Sequence, residues 1–181
     1  MKKRTLLTVM LIVVLTVSLS LPACGNAAEK IAEKAVEKAI EKAVGENVDI
    51  NTNEDEVNVD VSTDQGEVQL GGDAKIPEGW PAEAPAYPDL KITYASKTKD
   101  DNNKTGFGLF AEVTKGSVKD VYDWHKNKMS GWEITTDSFM TTDGNDAFTL
   151  LCKNASYEAL IMAGSDGKVI NFTMTIVELS E

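Results

Sequence analysis

The 181-residue chain holds one histidine, His125, and two cysteines, Cys24 and Cys152. A cysteine nucleophile needs a base beside it to supply the thiolate, and nothing in the spacing ties His125 to Cys152. Each also has a plain structural reading. Cys152 alternates onto the side of Phe148 and Leu150 in the run 147–152, where it reads as a buried, inert thiol. His125 shares a helical face with Val118, Val121, Tyr122 and Met129, as a partly buried core or interface residue. One histidine allows no two-histidine metal set, and the HExxH, CxxC and phosphate-loop patterns are absent. Asp49, Asn51, Asn53, Asp55 and Asp60 do fall at positions 1, 3, 5, 7 and 12 of a calcium-loop template. Glu54 then occupies the position that needs glycine, and Glu56 the position that is normally apolar. What remains is weak, nonspecific cation binding by an acidic segment. The expectation is therefore no catalytic residue, no cofactor and no metal site.

Cys24 has a different setting. Basic Met1-Lys2-Lys3-Arg4 precedes an apolar run from Leu6 to Leu21, and a small residue, Ala23, stands before the cysteine. That is a secretory signal layout, and the run is short for a membrane-spanning helix, which needs roughly 20 mainly apolar residues. Leu21-Pro22-Ala23-Cys24 resembles the lipobox of bacterial lipoproteins. The resemblance implies that Cys24 receives a diacylglyceryl group and, once residues 1–23 are cut away, begins the mature chain. Two acyl chains anchor stably where one binds marginally, at about 0.8 kcal/mol per buried CH₂. Cys152 then has no partner, so no disulfide within the chain supports the fold.

Charge divides the mature chain into segments. The formal net charge of −11 becomes −14 once Lys2, Lys3 and Arg4 are removed. Such an acidic chain argues against nucleic acid and against electrostatic adsorption to anionic headgroups. Residues 29–42 carry four Glu and four Lys. Residues 45–73 carry nine acidic side chains with no Lys or Arg, and residues 74–181 carry sixteen acidic and eleven basic. The expected organisation is a signal peptide (1–23), a lipidated N-terminus with a Glu-Lys-rich helix (24–45), an acidic β-ribbon (46–73), a Pro-rich strap (74–88) and an α+β domain (89–181).

The Glu-Lys-x-x repeat from Glu29 to Val44 predicts a marginal stalk helix stopped by Gly45. Beyond it, Val48 and Ile50, then Val57, Val59 and Val61, then Val68 and Leu70 alternate between polar turns, predicting three short antiparallel strands. Pro77, Pro81, Pro85 and Pro88 hold an extended strap that Trp80 and Tyr87 pin to the next domain. In that domain, alternation over 90–94 and 107–113 makes a hairpin. Ser117 with Asp120 caps a helix, and four further strands run on to about Val177. The expected fold class is α+β: a small antiparallel sheet with one helix packed on one face (ββαββββ), preceded by the signal peptide, the stalk helix and the acidic ribbon.

The lipobox, the Glu-Lys-Ala helix, "VDINTNEDEVNVDVSTDQGEVQLGG", "IPEGWPAEAPAYP" and "SGWEI" together resemble a group of uncharacterised lipoproteins of Gram-positive bacteria. The resemblance implies attachment to the extracytoplasmic face of the cell membrane and supplies no catalytic residues. The expected protein is a non-enzymatic binding or docking module for an envelope partner or a small ligand, using a free sheet face or edge. Phe110, Trp124 and Tyr157 are the candidates for an exposed aromatic patch. An envelope hydrolase using Cys152 or His125, and a cation-responsive surface spacer, are the alternatives.

Overall fold

The computed structural model describes residues 48–53, 56–100 and 102–179, with side chains described from Asn58 onward. The expected leader, Cys24 and the expected stalk helix lie outside these residues. Apolar alternation broken by polar turns yields β1 (Val48–Asn53), β2 (Glu56–Thr63), β3 (Gly66–Leu70), β4 (Leu90–Lys99) and β5 (Thr105–Val113). A helix, α1 (Val118–Lys128), precedes β6 (Glu133–Thr142), β7 (Asn145–Lys153), β8 (Tyr157–Ser165) and β9 (Ile170–Glu178). The nine strands form one sheet in the order β1-β2-β3-β4-β5-β9-β8-β7-β6, and every pairing is antiparallel.

This overturns the expected fold class of a short acidic ribbon standing ahead of a small, separate α+β sheet. β3 pairs with β4 from Gly66–Thr98 to Leu70–Tyr94, so the ribbon strands continue the main sheet. Two forces favour the junction. The unpaired N–H and C=O groups along the edge of β3 need partners, and Lys97, directly across from Glu67, brings a cation near the acidic ribbon while its ammonium donates to the Glu78 carbonyl at 2.8 Å. The charge boundary near residue 73 marks a change in solvation and carries no information about backbone pairing.

The helix begins where Ser117 Oγ accepts from the Asp120 N–H at 3.1 Å and Asp120 Oδ2 accepts from the Ser117 N–H at 2.8 Å. Both halves of a capping box are thus present. The chain enters α1 from β5 and leaves it for β6 at the far edge of the sheet. The helix must therefore cross over β7 and β8, the strands it contacts. Tyr122 donates to Asp137 Oδ1 at 2.7 Å and Lys126 to Asp137 Oδ2 at 2.6 Å, tying α1 to β6. Val118, Val121, His125 and Met129 face inward and are buried.

The Pro-rich strap covers the rest of that same face. Trp80 meets Phe107 edge-on with ring centroids 5.7 Å apart, and its Nε1–H donates to the Ala84 carbonyl at 2.7 Å. Tyr87 meets Trp124 edge-on at 5.5 Å. Beneath strap and helix lies one core, including Leu109, Leu150, Ile161, Phe172, Met174 and Ile176, all at most 1% exposed. All of these side chains come from one side of the sheet.

Candidate binding face

His125 and Cys152 both lie on the covered side. The Nδ1 of His125 is 2.8 Å from the Val121 carbonyl oxygen. A carbonyl only accepts, so Nδ1 carries the hydrogen and Nε2 is a bare lone pair. That Nε2 is buried with no hydrogen-bond partner. Burial pushes the imidazole pKa down to about 4, against the opposing influence of the Val121 hydrogen bond. Cys152 is likewise fully buried. Burial first, and the charge of Asp137 second, hold its thiol above the ordinary range. A thiolate–imidazolium pair needs the opposite shift at both groups, and no hydrogen bond joins them.

The calcium-loop candidate is occupied by other structure. Val48–Asn53 and Glu56–Thr63 pair as a hairpin, with Asp49 opposite Asp60 and Asn51 opposite Asn58. Backbone committed to a ladder cannot wrap an ion as a twelve-residue loop does. Among the described residues there is no group of three or more His, Cys, Asp or Glu placed to hold a metal ion.

The other side of the sheet is different. The pairing register aligns two rows of residues on this side of the strands, in which Val59 and Ser96 are buried and the others half-buried or exposed. One runs from Val59 through Leu70, Tyr94, Phe110, Thr173 and Met162 to Thr149 and Ser138. The next runs from Val61 through Val68, Ser96, Gly108, Thr175 and Leu160 to Leu151 and Thr136. Neither row contains a charged residue. Along these strands the charges stand in the flanking rows, as Lys153 between Glu158 and Glu133, with its ammonium 3.3 Å from the Glu133 carboxylate, and as Lys91 opposite Glu112. Over β5, β9, β8 and β7 no described helix or strand packs on this side.

Local sequence explains the surface. Gly108 has no side chain, and a Cβ there would stand 2.7 Å from Ser96 Oγ and 3.5 Å from the Tyr94 ring. The bare backbone therefore lets Tyr94 lean across the row. Phe110 is 41% exposed beside it. Toward the β8–β9 turn, Gly164 leaves an open hollow of about 350 Å³ lined by Met162, Ser165, Asp166, Asn171 and Thr173.

Of the three aromatics expected to form a patch, only Phe110 does so. Trp124 is half-buried between Tyr87 and His125, and Tyr157 packs against the core. The sequence reasoning missed Leu151, Leu160 and Met162. The signal for Leu160 and Met162 was the unbroken apolar run Ala159-Leu160-Ile161-Met162-Ala163, and for Leu151 the run Leu150-Leu151-Cys152, neither of which has a polar residue at alternate positions to mark a solvated face. A scan against protein-family models and a search of curated proteins returned no match for this chain.

Proposed function

We propose that this chain is a lipoprotein of the extracytoplasmic face of a Gram-positive cell membrane, held by a diacylglyceryl group on Cys24, whose sheet is a non-enzymatic binding module for an envelope partner or small ligand. The observation that carries the binding role is the sheet side that no described helix or strand covers, with its two charge-free rows. An antiparallel sheet with one wet face normally alternates apolar and polar residues, and this one places Phe110, Leu151, Leu160 and Met162 on the wet side instead. The anchoring role rests on the residues around Cys24 and on the acidity of the chain, which leaves the acyl chains to do the membrane binding.

Two measurements test the two halves. Cells expressing the full chain should incorporate labelled palmitate into it and retain it in the membrane fraction, and Cys24→Ser should abolish both; an unlabelled wild-type protein sinks the anchor. For the binding role, a thiol placed by Thr175→Cys on the uncovered side should react rapidly with a maleimide in dilute purified protein and be protected in native membranes. Equal reactivity in the two settings rejects docking through this face.

A further inference from the structure

Strand β8 is apolar on both sides. Ala159, Ile161 and Ala163 fill the core, while Leu160 and Met162 stand in the outward rows. Strand β7 repeats the pattern, with Leu150 and Cys152 inside and Leu151 outside. Strands that are apolar on both faces belong to sheets covered on both faces, and among the described residues no helix or strand covers the outer one.

The dimensions select the kind of cover. The strands β4, β5, β9, β8 and β7 are adjacent, and at about 4.8 Å per strand they present a width of roughly 24 Å. A single helix is about 10 Å across and would leave half of that width wet. A second sheet, stacked about 10 Å away, matches it.

The chemistry selects which sheet. In a twofold interface each surface meets its own copy, so any charge in the centre is brought against like charge and stripped of water. The two central rows have none, and their Thr136, Ser138, Thr149, Thr173 and Thr175 hydroxyls can donate and accept across the axis. Both signs of charge sit at the periphery, in Lys153–Glu158 and Lys91–Glu112, as a polar rim requires. The area suffices. Five strands of nine or ten residues at about 3.4 Å per residue give roughly 700 Å² per copy. A pair would bury roughly 1,400 Å², within the range of specific interfaces.

We infer that the uncovered sheet side docks on the same side of a second copy of this chain, forming a two-sheet sandwich. This rests on the reading of that side as a docking surface and names its occupant. A twofold axis lying in such an interface can stand along the membrane normal, so both anchors reach one membrane.

The test uses the full chain in the membrane of cells that express two differently tagged copies, with a benzophenone amino acid in place of Phe110. Irradiation should give a species of twice the chain mass carrying both tags, with the far end of the crosslink on outward residues of β5, β9 or β8. Thr175→Glu, at an exposed position outside the core, should reduce that species more than about tenfold by burying paired like charges, with the melting of the purified protein unchanged at a dilution where it is monomeric. A doubly tagged species that survives Thr175→Glu overturns the proposed face. Crosslinks to residues 25–47 of the same copy, or to a protein of another mass, overturn the second copy and leave the docking surface standing. No crosslink from any outward position overturns both.

Discussion

The imidazole of His125 lies nearly flat on the ring of Phe172, with centroids 5.3 Å apart and planes 18° from parallel. This contact joins α1 to β9 through the middle of the core. The neighbours of the imidazole are the Val121 carbonyl on its own helix, the Trp124 ring, Tyr87 from the strap and Phe172 from the sheet. None of them is a carboxylate, so a proton on Nε2 would create a buried charge without a counter-ion.

Stability should therefore depend on pH through His125. The folded pKa of about 4 lies below the ordinary 6.5. Between those values the unfolded chain binds a proton that the fold refuses, and stability falls as pH falls from about 6.5 toward 4. Urea denaturation at pH 7.5 and pH 4.5 should differ by on the order of 2–3 kcal/mol. His125→Phe should flatten that slope. The exposed carboxylates of Asp100, Asp120 and Asp166, held low mainly by hydrogen bonds from backbone N–H groups, lose their contribution only at lower pH. A slope equally steep in the His125→Phe variant would contradict the assignment.

Cys152 should behave as a core residue. The native protein is expected to leave it unalkylated by iodoacetamide over hours and to expose it only with global unfolding, as followed by intact mass. Cys152→Ser, which puts a hydroxyl among Phe148, Leu150 and Ala159, should cost roughly 1–3 kcal/mol. Rapid alkylation of folded protein would place the thiol at a surface.

Three glycines give a graded series. A Cβ at Gly66 would stand 2.0 Å from the Lys97 carbonyl oxygen, at a φ of +143°. Gly66→Ala should cost more than about 2 kcal/mol. Gly144, at φ +79° with open space around it, should cost about 1 kcal/mol. Gly131→Ala, which meets nothing within 4 Å, should be near neutral. Because the Gly66 clash falls on β4, its effect on the main melting transition also measures whether the ribbon and the rest of the sheet unfold together. A Gly66→Ala protein that melts like wild type would separate them.

The strap should be worth as much as a helix turn. Trp80→Ala removes the edge contact to Phe107 and the hydrogen bond to Ala84, and a loss of roughly 2–4 kcal/mol is expected, read by urea midpoint with unchanged m-value. A change below about 0.5 kcal/mol would mean that the strap is dispensable.

What the sequence disclosed was local. Alternating valines and leucines, Asp-Gly turns and the Ser117–Asp120 pair each act within a few residues, and each marks its own element. The pairing of β3 with β4 spans the strap, and that of β5 with β9 spans the helix and three strands. Neither leaves a short-range trace, and the charge change between ribbon and domain pointed the other way. The buried places of His125 and Cys152 were legible because apolar neighbours share their faces. The outward rows were not, since Leu160 and Met162 become neighbours of Phe110 and Tyr94 only through the register across β9.

The position of β9 bears on biogenesis. β9 is inserted between β5 and β8, so two half-sheets, β1 to β5 and β6 to β8, stay unjoined until residues 170–178 have been made. Closing such long-range pairings is slow. If the chain is exported as proposed, that delay would serve it, because almost its whole length could cross as an extended thread before the seam is sealed.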